Sequence, residues 1–134
     1  MPQLVKGGKW VFGWCVVNDA MQLRIPPVAF EEYEFQDDET VLFIKGSKKS
    51  GGFGIARQPV VAAMPFFARI FSQGGIGKNG IIKIPKMIDS QPGDKLLAIR
   101  GSNMALGFVQ HGPIFEEAVK HEEIEIFIVE DQLS

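Results

Sequence analysis

The chain contains the same short phrase twice, and this repetition constrains its fold more than any other feature. Residues 17–26 (VNDAMQLRIP) align with residues 76–85 (IGKNGIIKIP), and residues 41–53 align with residues 96–108. The offset falls from 59 to 55 between the two blocks, so the first copy carries four more residues in the bridge between them. Two matched blocks in the same order indicate an internal duplication, which has to be recognised before local structure is assigned.

Both matched blocks predict β-structure. Leu23 and Ile25, like Ile82 and Ile84, alternate with basic residues, which is the period of a half-buried strand. The proline that closes each phrase has no amide donor, so each strand is expected to end there or to lie at a sheet edge. The runs VLFI and LLAI, each closed by a basic residue and Gly-Ser, predict buried strands that turn back at the glycine.

The segments between and after these strands give weaker local signals. Asn79-Gly80 is a strong hairpin signal and predicts a tight turn between Ile76 and Ile81. Short helices are predicted after Pro26, around residues 86–90, and over residues 113–121. A final strand is predicted over residues 124–129, with Ile124, Ile126 and Ile128 on one face, and the proline-containing stretch 59–71 is not expected to form one continuous helix.

A four-stranded unit with one apolar face is marginal alone, so the duplication predicts the overall architecture. Two such units related by an approximate twofold axis can bury their apolar faces on each other and close a small barrel without edges. The expected fold is a mainly β, closed pseudo-twofold barrel with one or two short helices. We expect one domain over residues 1–134: repeat one at about 10–56, a connector at about 57–68, repeat two at about 69–110, and a C-terminal helix and strand at about 113–129.

Composition restricts the class of partner and the compartment. The formal net charge is −2, from 14 basic and 16 acidic residues, so a nucleic-acid partner would need locally clustered cations. Cys15 is the single cysteine, which favours a reducing, cytoplasmic location. The apolar segment 10–17 is interpreted as a strand rather than a signal peptide, and no run approaches the length of a membrane span.

The second copy resembles a known family. Residues 77–99 (GKNGIIKIPKMIDSQPGDKLLAI) resemble the swapped-hairpin barrel of the AbrB/SpoVT and MazE families, whose phrase is a Gly-led strand ending in Ile-Pro, a short helix, Pro-Gly-Asp and an apolar strand. Ile25-Pro26 matches the same phrase in the first copy, but Asp37-Asp38-Glu39 replaces Pro-Gly-Asp there. The resemblance covers about two-thirds of the chain, and it implies a swapped-hairpin barrel.

The resemblance implies a function as well. Many members of these families are DNA-binding transcriptional regulators or antitoxins, so the first expectation is an AbrB-like DNA-binding regulator. The arginine that commonly serves the DNA-binding face in the family is replaced here by Gln22 and Ile81. Related double-psi and cradle-loop barrels include members that bind proteins or small molecules. The alternative is therefore a non-catalytic barrel module that binds a protein partner or a small ligand and has no nucleic-acid role.

Basic residues that recur in both copies are the candidate site. Arg24 matches Lys83, and Lys45 matches Arg100, so two pairs of cations would be displayed in equivalent places. Other lysines nearby in sequence could extend them into a phosphate-binding face. The candidate DNA-binding set is Arg24, Lys45, Lys48, Lys49, Lys78, Lys83, Lys86 and Arg100. The other interpretation is that these are ordinary solvent-facing strand residues, which strand alternation requires in any case.

Two further segments are candidate interaction sites. The acidic segment 31–39 (EEYEFQDDE) occurs in the first copy only; it is interpreted as a solvated face or as a docking site for a basic protein partner. The sequence GSKKSGGFG at 46–54 does not fit a phosphate-binding loop, because its lysines precede the glycine pair, and it is interpreted as a hairpin turn.

No catalytic or metal-binding constellation is evident, so we expect neither an enzyme nor a cofactor. Glu117 and His121 could share a helix face, but two ligands do not make a metal site, and His111 lies ten residues away. Cys15 is interpreted as a buried, inert thiol. Five aromatic residues are interpreted as core or barrel-end packing: Trp10, Trp14, Phe66, Phe67 and Phe71.

Overall fold

A computed structural model describes residues 10–57, 70–101 and 105–130. The connector expected at about 57–68 lies almost wholly outside these residues, as do Phe66 and Phe67. The described chain is mainly β, as the sequence predicts. In chain order its elements are β1 (Val11–Val16), β2 (Gln22–Arg24), α1 (Pro27–Glu32), β3 (Thr40–Lys45), β4 (Phe53–Arg57), β5 (Ile70–Gly75), β6 (Ile81–Lys83), β7 (Lys95–Arg100), β8 (Leu106–Val109), α2 (Pro113–Val119) and β9 (Ile126–Phe127).

The strands form one large sheet and one small ribbon. The large sheet has seven strands in the order β5-β3-β4-β8-β7-β1-β9, and the ribbon pairs β2 with β6. Neighbouring strands are antiparallel except β1 and β9, which run parallel. Within the described residues neither sheet closes on itself, so the closed barrel stays a prediction.

The strand pairings of one copy are reproduced in the other. Strands β1 and β5 lie 59 residues apart, as the sequence alignment requires. Strand β1 of the first copy pairs with β7 of the second, and β5 of the second copy pairs with β3 of the first. The registers agree: Val16 lies opposite Lys95 as Gly75 lies opposite Thr40, and each ladder is irregular at the same place. Each copy therefore contributes its first strand to the hairpin of the other.

Two pairs of equivalent residues lie directly opposite each other. In the ribbon Leu23 lies opposite Ile82, and in the centre of the large sheet Phe53 lies opposite Phe108. All four side chains are at most 1% exposed and belong to one core cluster. The Phe53 and Phe108 rings are stacked with their centroids 5.2 Å apart. The inner face of the ribbon thus packs into the core that the two central hairpins line.

A second layer covers part of the outer face of the sheet. Trp14 and Leu97 point away from the main core and pack with Ala118 of α2, and Phe115 meets the Trp14 ring edge-on at 5.0 Å. Helix α2 begins at Pro113, which suits the first turn because the missing amide would be unpaired there anyway. The predicted helix over 113–121 is confirmed with its end at Val119.

The local predictions around the ribbon are confirmed. The predicted helix after Pro26 is α1, and it begins at Pro27. The predicted Asn-Gly turn is present: Lys78–Gly80 form a short 3-10 turn in which Asn79 has φ 65° and Gly80 has φ 74°. Both residue types tolerate this left-handed conformation, which explains why the chain can reverse here.

The helix predicted around residues 86–90 is not formed. The segment is a turn in which the Ile88 amide donates to the carbonyl of Pro85 at 3.0 Å. Six residues separate Pro85 from Pro92, and the last of them, Gln91, is disfavoured in helical conformation because it precedes a proline, which leaves fewer residues than the six of α1. In the longer first bridge, α1 has the room that the second bridge lacks.

The final strand is shorter than predicted, and the predicted face is wrong. Strand β9 covers only Ile126–Phe127; Ile124 and Phe127 are buried, whereas Ile126 and Ile128 are 52% and 54% exposed. The reason lies in the neighbouring strand. A Cβ at Gly13 would meet the Phe127 ring at 2.6 Å, so the missing side chain provides the space that the ring occupies. This contact selects Phe127 as the buried residue and turns Ile126 outward.

Candidate functional site

The outer face of the ribbon carries the matched basic pair. Leu23 and Ile82 point into the core, so strand alternation directs their neighbours outward. Arg24 lies opposite Ile81, and Lys83 lies opposite Gln22. Arg24 and Lys83 are therefore diagonal neighbours on one face, with Cα atoms about 7–8 Å apart by standard sheet geometry.

An open groove of about 1220 Å³ lies over this face. Arg24, Lys78 and Lys83 supply three positive charges to it, and Asp19 and Glu130 supply two negative charges. The remaining lining is mostly polar or small. The described lining residues are Asn18, Asp19, Ala20, Gln22, Arg24, Gly75, Gly77, Lys78, Asn79, Ile81, Lys83, Val129 and Glu130.

The two walls of the groove are turns held by equivalent backbone hydrogen bonds. The amide of Asn18 donates to Gln22 O at 3.1 Å, and that of Gly77 donates to Ile81 O at 2.7 Å. The first wall has an additional side-chain clamp. Asn18 Oδ1 accepts from the Gln22 amide at 2.8 Å, and Asn18 Nδ2 donates to Gln22 Oε1 at 2.9 Å. The Gln22 side chain is thus held in place, whereas Ile81 presents only hydrocarbon.

Arg100 forms an ion pair with an acidic residue outside the ribbon groove. Its Nε donates to Glu32 Oε2 at 2.8 Å in a two-pronged ion pair with α1, and its guanidinium lies 6.0 Å from the centroid of the Trp10 ring. The hydrogen bond with Glu32 raises the pKa of the guanidinium further. Arg100 does not line the ribbon groove within the described chain.

The other candidate cations also lie away from the groove. Lys45 ends β3, three strand spacings (about 14 Å) across the sheet from β7, which carries Arg100. Lys48 and Lys49 lie in an exposed turn, whose backbone is tied to residues 110 and 111: the Lys49 carbonyl contacts His111 Nδ1 at 3.0 Å. Lys86 is exposed in the turn after Pro85. The structure therefore brings together Arg24, Lys78 and Lys83 and does not bring the other five candidates to this groove.

The acidic segment 31–39 is partly neutralised by internal pairing. Glu32 binds Arg100, and Glu39 binds Arg57 with an Nε–Oε2 distance of 2.9 Å. The carboxylates left exposed in this segment include those of Glu34, Asp37 and Asp38. Two of its six acidic side chains are thus used to hold α1 and the start of β3 to the sheet.

A smaller cavity of about 300 Å³ lies beside these ion pairs, and Tyr33 is the titratable group of interest in it. The Tyr33 hydroxyl donates to the carbonyl of Ala105 at 3.2 Å. Burial raises the pKa of Tyr33 to about 12, and the negative charge of Glu32 adds to the rise. Phenolate formation is therefore disfavoured in the folded chain.

Tyr33 is the chain's single tyrosine, so this shift can be measured directly. We expect the tyrosinate absorbance of the folded protein to appear with a midpoint near pH 12, against about 10 in denaturant. Because the folded-state pKa is raised, the associated stability is complete below pH 10 and is lost as the pH rises from 10 towards 12. Tyr33→Phe should abolish the signal, and a midpoint near 10 in the folded protein would contradict the assignment.

Other reactive side chains have structural partners. Cys15 is fully buried, and burial raises the pKa of its thiol far above the ordinary value, which fits the inert role expected for it. His121 Nδ1 lies 2.7 Å from Glu123 Oε1 just beyond α2. Across the described residues, no group of three or more His, Cys, Asp or Glu side chains could hold a metal ion.

The structure agrees with the predictions for Trp14 and Phe71 but not with the prediction for Trp10. Trp14 is buried in the outer cluster, and Phe71 packs partly buried against the main core, as expected. Trp10 is 38% exposed, because it lies against Arg100 at the start of the sheet rather than inside it.

Sequence reasoning missed most of the groove. Asn18, Asp19 and Asn79 lie in turns, and Glu130 comes from the segment after β9. The alignment of residues 17–26 with 76–85 contained the signal for the two walls, since it places both turns beside the paired strands. Nothing in the sequence indicates that residues 129–130 return to the ribbon.

No protein-family model, curated protein or solved structure matches the chain. The fold and the groove define a mainly β chain with a two-stranded ribbon that exposes a mixed, three-cation face. In the part of the chain that the structure describes, no helix has the length and apolar character needed to traverse a bilayer.

Proposed function

We propose that the chain is an AbrB-like, DNA-binding transcriptional regulator without catalytic activity, and that the ribbon groove contacts the phosphate backbone of duplex DNA. The observation that carries the proposal is the placement of Arg24 and Lys83 on one outward face, with Lys78 in the same groove. Flexible cations of this kind position a protein on DNA by contacting phosphates.

The shape of the site supports the same proposal. The major groove of B-DNA is wide enough to admit a two-stranded β-ribbon, and several DNA-binding proteins use one in this way. The β2–β6 ribbon buries Leu23 and Ile82 in the core and lines the groove with the other four residues, so it can approach DNA without losing core contacts. We further propose that the ribbon closes the sheet into a pseudo-twofold swapped-hairpin barrel, which would hold the two strands rigidly.

A second candidate is a module that binds a protein or a small ligand through the same groove. It is favoured by Asp19 and Glu130, whose carboxylates would oppose phosphates, and by the net charge of −2. Such a module would bind a partner with mixed charges and would show no affinity for nucleic acid.

The experiment that separates the two candidates is binding to mixed-sequence duplex DNA at 50 and 200 mM salt. Three phosphate contacts give a slope of about −2.7 in log K against log salt, so affinity should fall about 40-fold over this range. Replacing both Arg24 and Lys83 with alanine should reduce the fall to about 3- to 4-fold, because one contact remains.

The matched control is Lys120→Ala, which removes an exposed cation on α2's C-terminal side, away from the groove. It should leave both affinity and salt slope unchanged. All variants should keep the thermal unfolding midpoint of the parent, since neither Arg24 nor Lys83 is among the buried residues of the core. Absence of binding at 50 mM salt would exclude the DNA proposal in favour of the second candidate, and an equal loss for Lys120→Ala would exclude the ribbon groove as the contact surface.

A further inference from the structure

We infer that the ribbon groove binds its duplex in one orientation and selects a non-palindromic site. This inference rests on the proposed function. In DNA-binding proteins built from two equivalent halves, the palindromic form of the site mirrors the twofold symmetry of the protein. Here the backbone pairing of the two halves is matched, but their side chains at the groove are not.

The Leu23–Ile82 pair is the centre about which the halves can be compared. Residues on either side of it are related by the offset of 59, as are strands β1 and β5. Arg24 corresponds to Lys83, so this one pair of positions carries the same charge in both halves. The two other functional pairs of positions differ in chemistry.

The first difference is a reversal of charge. Asp19 in the first wall corresponds to Lys78 in the second, and both line the groove. The second half therefore presents Lys78 with Lys83, whereas the first half presents Asp19 with Arg24. Phosphates are negative on both strands of a duplex, so a symmetric placement would set one phosphate track against the Asp19 carboxylate. The duplex is expected to lie closer to the second half.

The second difference concerns the groups that can contact bases. Gln22 corresponds to Ile81, and each lies beside the basic residue of the opposite strand. A glutamine amide can pair with adenine through two hydrogen bonds, whereas an aliphatic side chain contacts the thymine methyl group. Asn18 Nδ2 donates to Gln22 Oε1 at 2.9 Å, which orients the side-chain amide, and the second lone pair of Oε1 can still accept a hydrogen bond from the base. The two halves would therefore prefer different bases.

The test is enrichment of duplex sites from a random library by the full chain at low salt, followed by sequencing. We expect an asymmetric consensus. Two symmetrising variants should change it: Asp19→Lys should make the salt slope steeper by about 0.9, because it adds one phosphate contact. Ile81→Gln should make the two halves of the consensus more alike. Lys78→Asp is the opposite control and should weaken binding to all duplexes.

The outcomes distinguish this inference from the proposed function. Absence of binding to any duplex would remove both. Binding with a palindromic consensus, or binding without sequence preference, would overturn the inference and leave the DNA-binding proposal standing. An unchanged salt slope in Asp19→Lys would also overturn it. Asp19 is exposed, so its substitution should not affect folding, and the unfolding midpoint of each variant verifies this.

Discussion

Replacing Phe108 with alanine is expected to lower the free energy of unfolding by about 3–5 kcal/mol. The side chain is fully buried, and its ring stacks on that of Phe53 at 5.2 Å where the hairpins of the two copies meet. Truncation would remove buried apolar surface from both copies at once and leave a cavity between them. Denaturant unfolding followed by the fluorescence of the two tryptophans measures the loss.

The equivalence of the two phenylalanines supplies internal controls. Phe53→Ala should cost about as much as Phe108→Ala, and the double variant should cost less than the sum, because the stacked pair can be lost only once. Phe108→Leu retains most of the volume and gives a measurable transition if the alanine variant does not fold. Val28→Ala, at a position 60% exposed, should change stability by no more than about 0.5 kcal/mol. A loss below 1 kcal/mol for Phe108→Ala would contradict this account of the core.

Replacing Gly52 with alanine should cost about 2–5 kcal/mol, the second large effect we expect. Gly52 has φ 71°, a conformation that costs an L-residue about 1–2 kcal/mol. A Cβ there would also overlap the carbonyl oxygen of Phe108, and relieving such a clash adds about 1–3 kcal/mol. The effect should appear as a lower denaturant midpoint with an unchanged m-value.

Two other glycines separate these contributions. Gly93 has φ 93° with no atom within 4 Å of the added Cβ, so Gly93→Ala should show the conformational cost alone. Gly75 has space for a Cβ in extended backbone, so Gly75→Ala should be nearly neutral. The expected order of destabilisation is Gly52, then Gly93, then Gly75. Equal losses at Gly52 and Gly93 would show that the backbone contact with Phe108 is unimportant.

The local parts of the fold could be predicted because adjacent residues determine them. Alternation around Leu23 and Ile82 predicted both ribbon strands, and the prolines at 26 and 85 predicted where they end. The exchange of first strands could not be deduced from the same pattern, since β1 would alternate in the same way beside either hairpin. The position of β9 depends on the space at Gly13, which becomes visible only when the strands are paired.

The candidate site could likewise be predicted only in part. Among eight candidates, the sequence identified Arg24 and Lys83 by charge and repetition and Lys78 by its nearness in sequence, and the groove brings these three together. It could not show that Arg100 is held by Glu32, because the two residues are 68 positions apart and meet only in the folded chain. Asp19 was not predicted as a site residue. A single acidic residue in a turn forms no recognisable pattern until the structure places its equivalent, Lys78, in the same groove.

The reciprocal placement of β1 and β5 has a consequence for how the molecule loses its structure. If β1 separates from β7, the second copy loses a neighbouring strand, although β1 remains covalently joined to the first copy. The same holds for β5 and β3 with the copies exchanged. We therefore expect that fraying in one half loosens the other as well, and that the two halves of the described chain unfold together. Substitutions in the first strand of one copy are restricted in the same way, because they must remain compatible with the hairpin of the other copy.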